Sequence, residues 1–318
     1  KTGNGIILVK VGDSARSAAN VFELAGDYVD NGKQVIAVGN YSYALAHHGI
    51  GGDSQDGNWY LRNVGFLPSI QAYKEYPNLI NSVIAPTSYF QRVGNIQRVE
   101  LTKIEEGSPY SLWGRVTGGT KSYALDENGF TGDVSVKHGG LVSGFDWKLS
   151  DTELGSLTAG LSISTGRYSQ ALNGTKIDGD IVTFGSSLTW NGTDGWYVDG
   201  QGNYSVLWSD FSSSQLGRLV EDRRASGFAL SAEIGRRFQL SEEWALTPQA
   251  QLSYSRGFFS SLVDSFGSAV SLDRNDSWVG RLGVSAEYAS EWSAQDGSKN
   301  HQVVYAIGNV YHEFTQPS

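Results

Sequence analysis

The sequence predicts an all-β protein dominated by a transmembrane antiparallel β-barrel. Three observations predict it. First, apolar and polar residues alternate with period two from about Tyr110 onward, segment after segment. Second, the 318 residues include 40 Gly, 16 Tyr and 9 Trp but only 6 Pro, a composition of many strands and turns. Third, Trp and Tyr gather at the ends of the alternating segments. Phe228, Leu230, Ala232 and Ile234 make one greasy face, while Ala229, Ser231, Glu233 and Gly235 make a small or polar one. A soluble sandwich hides its greasy faces inside, whereas a membrane barrel turns them outward and keeps the polar face in its lumen.

The apolar fraction is 39%, and no stretch approaches the roughly 20 apolar residues of a membrane helix. Barrel strands carry their hydrophobicity by alternation, so this is compatible with membrane insertion. The absence of Cys excludes disulfides and thiolate metal sites. It also suits passage through an oxidising periplasm. The absence of Met means that Lys1 is not an initiator, and the chain is expected to be a fragment or a mature piece of something longer. A net charge of −9 argues against a nucleic-acid partner.

Three regions follow one another. Residues 1–65 hold short apolar runs broken by Gly, Asn and Asp. Their candidate core is Phe22, Leu24, Tyr41, Tyr43, Leu45, Trp59 and Leu61. So small a β unit buries little surface alone and suits the end rung of a β-solenoid. Residues 66–109 contain the one convincing helical pattern, between Asn78 and Arg98, with Pro77 at a first helical position. Pro86 should kink or split that helix. Asn78, Asn81, Arg92, Asn95 and Arg98 are its polar residues of interest, the two arginines giving a basic face.

Residues 110–318 read as strands only, about nine of them by period-two alternation: 110–118, 131–149, 156–169, 178–190, 195–209, 224–240, 243–256, 277–292 and 301–314. The connections at 119–130, 170–177, 210–223 and 257–276 are long. Those at 150–155, 191–194 and 241–242 are short, and 293–300 is intermediate. Outer-membrane barrels place short turns on the periplasmic side, so the first strand runs toward the exterior. Gly139-Gly140 marks an expected bulge, because the apolar set changes parity there. Turning the polar set inward assigns Trp113, Arg115, Asp199, Gln201, Glu233, Arg237, Gln249, Gln251, Arg281 and Glu287 to the lumen. An Arg or Lys facing lipid at mid-depth would cost about 2–4 kcal/mol. Trp190, Trp196, Trp208, Trp244, Trp278 and Trp292 are the candidate interface aromatics.

In this order of rung, helix and strands the chain resembles the autotransporters of type V secretion. Residues 110–118 (Tyr-Ser-Leu-Trp-Gly-Arg-Val-Thr-Gly) resemble that family's first barrel strand. Ser226 to Phe238 followed by Trp244 to Tyr254 resembles its central hairpin, and Trp278 to Gly283 and His301 to Phe314 resemble the strands that follow. Asn40 to Leu45 and Asn58 to Leu61 resemble the passenger's C-terminal junction in pertactin-like members. The resemblance implies an outer-membrane translocator whose linker helix threads the lumen. It implies a rung at 1–65 that acts as an autochaperone, a linker at 66–109 and a barrel at 110–318. The implied partners are outer-membrane lipid, the chain's own passenger, the barrel-assembly machinery and periplasmic chaperones. Family barrels have twelve strands, so the readable nine imply either that the last strands are missing from this chain or that its open edge pairs with another protein, such as the assembly machinery. Some members cleave the passenger at an Asn-Asn pair in the helix. No such pair occurs here, and no autocleavage is expected. Glu233 and Arg281 read first as ordinary lumen polarity; the functional alternative, since buried lumen charges need partners, is contact with the threaded helix through Arg92, Arg98 or backbone groups.

No G-x-S-x-G, H-E-x-x-H or P-loop pattern is present, so neither an enzyme nor a cofactor is expected. Adjacent strand residues point to opposite faces, so His47-His48 reads as unable to chelate a metal. Two rival functions share the barrel pattern. An omptin-like enzyme needs Asp and His at the outer rim, and a passive porin has no use for the rung and helix.

Overall fold

The computed structural model describes residues 3–12, 17–93, 110–127, 130–271, 276–293 and 299–315. Asn95 and Arg98 lie outside the described residues. The N-terminal strands are β1 (Ile6–Val9), β2 (Tyr28–Asp30), β3 (Lys33–Val38), β4 (Tyr41–His47) and β5 (Trp59–Phe66). They form one antiparallel sheet in the order β1-β5-β4-β3-β2. The expected solenoid rung thus takes the form of an antiparallel sheet.

Tyr28, Val35, Ala37, Ala44, Trp59 and Tyr60 are the buried apolar residues of this sheet. The buried face of β4 carries Ser42 and Ala44, the parity opposite to the expected one. Of the expected core only Trp59 is buried; Leu24, Tyr43, Leu45 and Leu61 are half-buried. Phe22 and Tyr41 are exposed, each leaning on another ring: Phe22 edge-on to Trp59 and Tyr41 stacked on Phe66. The two adjacent histidines also differ from expectation. His48 has φ 71°, which ends the strand and folds its ring onto His47, with centroids 3.7 Å apart.

Among the described residues two helices follow, α1 (Ser69–Ile84) and α2 (Tyr89–Val93). The helix begins nine residues before Asn78, directly after Pro68, whose fixed φ of −56° prepares the first turn. Pro77 lies inside α1 and not at its start. Pro86 splits the helical pattern in two. Ala85 before it is extended (φ −57°, ψ 136°), as a residue preceding proline prefers.

The remaining strands are β6 (Tyr110–Glu127), β7 (Phe130–Thr152), β8 (Gly155–Leu172), β9 (Thr175–Gly192), β10 (Trp196–Ser213), β11 (Gly217–Arg236), β12 (Phe238–Gln239), β13 (Trp244–Phe258), β14 (Leu262–Val263), β15 (Ala269–Val270), β16 (Asp276–Ser293) and β17 (Lys299–Glu313). The long strands pair antiparallel in the order β17-β16-β13-β11-β10-β9-β8-β7-β6, and β12 continues β11 against β13. The sheet curls around α1, which touches β7, β8, β9, β10, β11 and β13. Among the described residues β6 and β17 are its two edges.

Three of the four expected long loops are strand. The β6–β7 ladder runs to Glu127↔Phe130, and β10–β11 to Ser213↔Gly217. The β8–β9 ladder closes on the two-residue turn Asn173-Gly174, with φ 47° and 77°, as a type I′ hairpin demands. Only the β13–β16 connection stays long, and it carries the small β14–β15 hairpin. These strands have 15 to 23 residues, against the 9–11 or so that span a bilayer. The surplus projects beyond the lipid.

That projection explains the parity change at Gly139-Gly140, where the ladders on both sides run without a break. The expected bulge is absent; the register shift in β7 lies at Lys148/Ser150. Val134 and Val136 point into the interior, and Leu141 and Phe145 point out. Where the outer face meets water the apolar residues turn inward, and where it meets lipid they turn outward. The same switch occurs in β9, from buried Ile177 to exposed Phe184 and Leu188. It recurs in β10, from buried Leu207 and Phe211 to exposed Val198 and Tyr204. The exposed band includes Leu112, Val116, Leu161, Ile163, Leu230, Ile234, Leu282 and Val310. Trp196, Trp208, Trp244, Trp278 and Trp292 border it and are exposed, and Trp190 is half-buried.

Candidate functional site

The interior has two tiers, and each grips a different helix. The outer tier is an apolar collar. Tyr73, Tyr76, Leu79, Ile80 and Ile84 of α1 are 1% exposed or less, and they share one core with Leu172, Ile177, Leu207, Phe211, Leu219 and Ala229. The spacing of these helix residues puts them on one stripe. Their polar ends are satisfied across the collar. The Tyr73 hydroxyl donates to Asp264 Oδ2 (3.0 Å). The Tyr76 and Tyr168 hydroxyls both meet Ser209 Oγ (2.7 and 2.6 Å). Tyr123 of β6 donates to Glu75 Oε2 (3.1 Å), which also accepts from Asn78 Nδ2 (3.2 Å). Asn81 is buried on the same helix. A cavity of about 830 Å³ lies beside this flank, lined among others by Glu75, Asn78, Asn81, Ser277 and Glu313.

The inner tier is a polar clasp around the link Pro86–Ser88 and the start of α2. The Thr87 carbonyl accepts from Gln201 Nε2 (2.9 Å) and Gln251 Nε2 (3.4 Å). The Tyr89 backbone N–H donates to Glu233 Oε2 (2.9 Å), and the Tyr197 hydroxyl donates to Glu233 Oε1 (2.6 Å). Arg281 Nη2 lies 2.9 Å from Glu233 Oε2. Its Nε donates to Gln251 Oε1 (2.9 Å), and its Nη1 donates to Gln249 Oε1 (3.0 Å) and Asn309 Oδ1 (2.6 Å). Arg92 of α2 pairs with Asp199 Oδ1 (2.5 Å) and donates to Thr189 Oγ1 (2.8 Å). The rings of Tyr89, Phe90 and Tyr197 pack together beside these charges.

Burying an ion pair costs desolvation, and further hydrogen bonds must satisfy its remaining atoms. Glu233, Asp199 and Arg281 are 1%, 0% and 3% exposed. Each meets the opposite charge and two or more neutral partners. Such an arrangement fixes geometry: it holds the backbone at Thr87 and Tyr89 against the lumen wall.

The predicted site residues divide as follows. Asp199, Gln201, Glu233, Gln249 and Arg281 converge on the clasp. Arg237 and Glu287 pair with each other (2.7 Å). Trp113 faces inward from β6, lies over Gly144, where a Cβ would collide with its ring, and donates to Asp146 Oδ2 (3.0 Å). Arg115 is half-buried on β6, outside the clasp. Arg92 pairs with Asp199, not with Glu233 or Arg281. The backbone group that Glu233 was expected to reach is the Tyr89 N–H; sequence reasoning did not single out that residue, the Thr87 carbonyl, Tyr197 or Asn309. Tyr197 and Asn309 share the inward parity of Asp199 and Arg281, and that was the available signal.

Residues 112–318 match the autotransporter beta-domain family. The chain is 29% identical over its whole length to the adhesin BmaC autotransporter of Brucella suis biovar 1, spanning 10% of that protein. It is 32% identical over 48% of its length to the BrkA autotransporter of Bordetella pertussis, spanning 16% of that one. The crystal structure of the beta domain of BrkA aligns with a TM-score of 0.49 at 24% identity, covering 65% of this chain and 81% of that one. With the family match covering most of its length and a lipid-facing curled sheet enclosing a helix, this chain belongs to the autotransporter β-domain family, the outer-membrane translocators of type V secretion.

Proposed function

We propose that α1 and α2 are the stretch of chain that stays in the lumen once the passenger has passed, and that collar and clasp hold it there as a plug. The observation that carries this reading is the capture of backbone groups by lumen side chains, Tyr89 N–H by Glu233 and the Thr87 carbonyl by Gln201 and Gln251. A lumen built only for solute flow has no use for such contacts. On this reading residues 1–65 belong to the passenger end, 66–109 to the linker and 110–318 to the translocator. The N-terminal sheet folds first outside and seeds the rest of the passenger. The outer edge of β1, unpaired among the described residues and carrying exposed Ile6, Ile7 and Leu8, supports stacking of the preceding passenger segment. Membrane insertion would rely on the barrel-assembly machinery and periplasmic chaperones, because a greasy alternating surface needs protection before it reaches lipid.

We also infer that the chain is not an enzyme. Its Ser17–His47 contact (3.1 Å) is structural in character: Ser17 Oγ donates to the Gly57 carbonyl (2.8 Å) and accepts from Trp59 Nε1 (2.9 Å), so its proton is committed. The test of the plug is ion conductance of the intact protein in planar bilayers, with and without residues 66–104. The intact protein should stay closed and the deletion should conduct. Equal conductance from both would favour a passive pore and overturn the reading.

A further inference from the structure

At the short-turn end of the sheet, Arg236 closes β11 opposite Trp196 of β10. Both belong to the outward parity of Ile234 and Val198, which are 45% and 44% exposed. The Arg236 guanidinium carbon lies 5.4 Å from the Trp196 ring centroid and 5.2 Å from that of Phe238. Both distances fall within cation–π range. The two rings therefore flank the guanidinium at the edge of the apolar band. Its in-plane N–H donors remain for an acceptor.

Two of the nearby carboxylates are engaged elsewhere. Arg237 next in sequence turns inward and pairs with Glu287, while Asp194 caps the Trp196 N–H. Among the described residues no Asp or Glu forms an ion pair with Arg236. At the opposite boundary, outward-facing Arg167 and Arg256 each have a carboxylate, Asp180 at 3.1 Å and Asp276 at 3.3 Å. A ring-flanked cation without a protein anion, set directly beneath exposed Ile234 and Val198, matches an amphiphile with an anionic head and an apolar tail.

We propose that Arg236, Trp196 and Phe238 form a headgroup site for an anionic glycerophospholipid of the periplasmic leaflet. The phosphate oxygens accept from the guanidinium edge, and an acyl chain lies along Val198 and Ile234. The site rests on the outward-facing belt and not on the plug, so failure of the plug reading leaves it standing.

The test is native mass spectrometry of the intact protein in detergent, titrated with phosphatidylglycerol, with zwitterionic phosphatidylcholine as the comparison. The wild type should retain phosphatidylglycerol in preference. Arg236→Gln should weaken its binding about fivefold, the weight of one cation at an anionic surface. Phe238→Leu keeps the charge and should give a smaller drop. Arg224→Gln at the far end should leave binding unchanged. Equal binding by wild type and Arg236→Gln would overturn the proposal, as would equal affinity for the two lipids. Displacement of the lipid by millimolar inorganic phosphate would mark a plain anion site and overturn it as well.

Discussion

Arg281 concentrates the energetics of the clasp. Its guanidinium meets Glu233, Gln249, Gln251 and Asn309 at once while 3% exposed. Removing one partner of such a pair strands a buried charge and costs about 3–5 kcal/mol, whereas removing both costs much less. Glu233→Ala and Arg281→Ala should therefore each lower the temperature at which the barrel unfolds in a heat-modifiability assay, and Glu233→Ala should also slow surface display. The double variant should lose clearly less than the sum; simple additivity would show that the two do not act as a pair. These charges were legible in sequence because a charged residue on an alternating strand must look away from lipid. Their targets on the linker were not legible, since a backbone carbonyl or N–H is the same at Thr87 or Tyr89 as at any other residue.

Beside the N-terminal sheet, Asp56 in the turn before β5 links stability to pH. Burial pushes its carboxyl upward. Hydrogen bonds from the Tyr60 hydroxyl and from Asn58 and Gly49 outweigh this and hold it below the ordinary carboxylate value. A lowered value means stability that is present above the unfolded value of about 3.9 and lost as pH falls through the folded one. Acid unfolding of this sheet should shift to lower pH-sensitivity in Asp56→Asn. An unchanged acid transition followed by circular dichroism would remove Asp56 as its cause.

Among the elements, the helix and the hairpins show opposite limits of legibility. The apolar stripe of α1 was visible from Leu79 onward, but its first turns were hidden. Pro77 mimics a helix start, while Ile70 and Tyr73 precede it on the same stripe. Tertiary burial against Phe211 and Leu172 outweighs the hydrogen bond that Pro77 forfeits. The outer hairpins were misread as loops for a different reason. There the apolar residues switch faces, so a search for one constant parity loses the strand, although Asn173-Gly174 was a strong turn signal. The nine long strands and their order survived both errors. If burial is what holds α1, Ile80→Ala, at a position 0% exposed, should destabilise the folded protein by about 2–5 kcal/mol. Ser82→Ala on the exposed flank should change little. Comparable losses in thermal unfolding would mean that α1 is held by something other than its apolar stripe.

At the scale of the whole molecule the two tiers divide one task. The collar works by excluding water and is strongest where the outer surface of the sheet is itself in water. The clasp works by paired charges, at the depth where the outer surface is greasy and polar residues have only the lumen to face. Because α1 and α2 are separated at Pro86, a shift of one helix need not move the other. The seal should therefore be redundant. A variant that breaks the collar alone, Ile80→Asp, or the clasp alone, Glu233→Ala, should keep the intact protein closed or only briefly open in planar bilayers. The combined variant should conduct stably at the level of the protein lacking 66–104. Full opening by Glu233→Ala alone would mean that the collar is no barrier to ions. Persistent closure of the combined variant would mean that the lumen is sealed by elements beyond α1 and α2. Either result would separate holding the helix from sealing the pore, two roles that the geometry of this interior assigns to the same set of side chains.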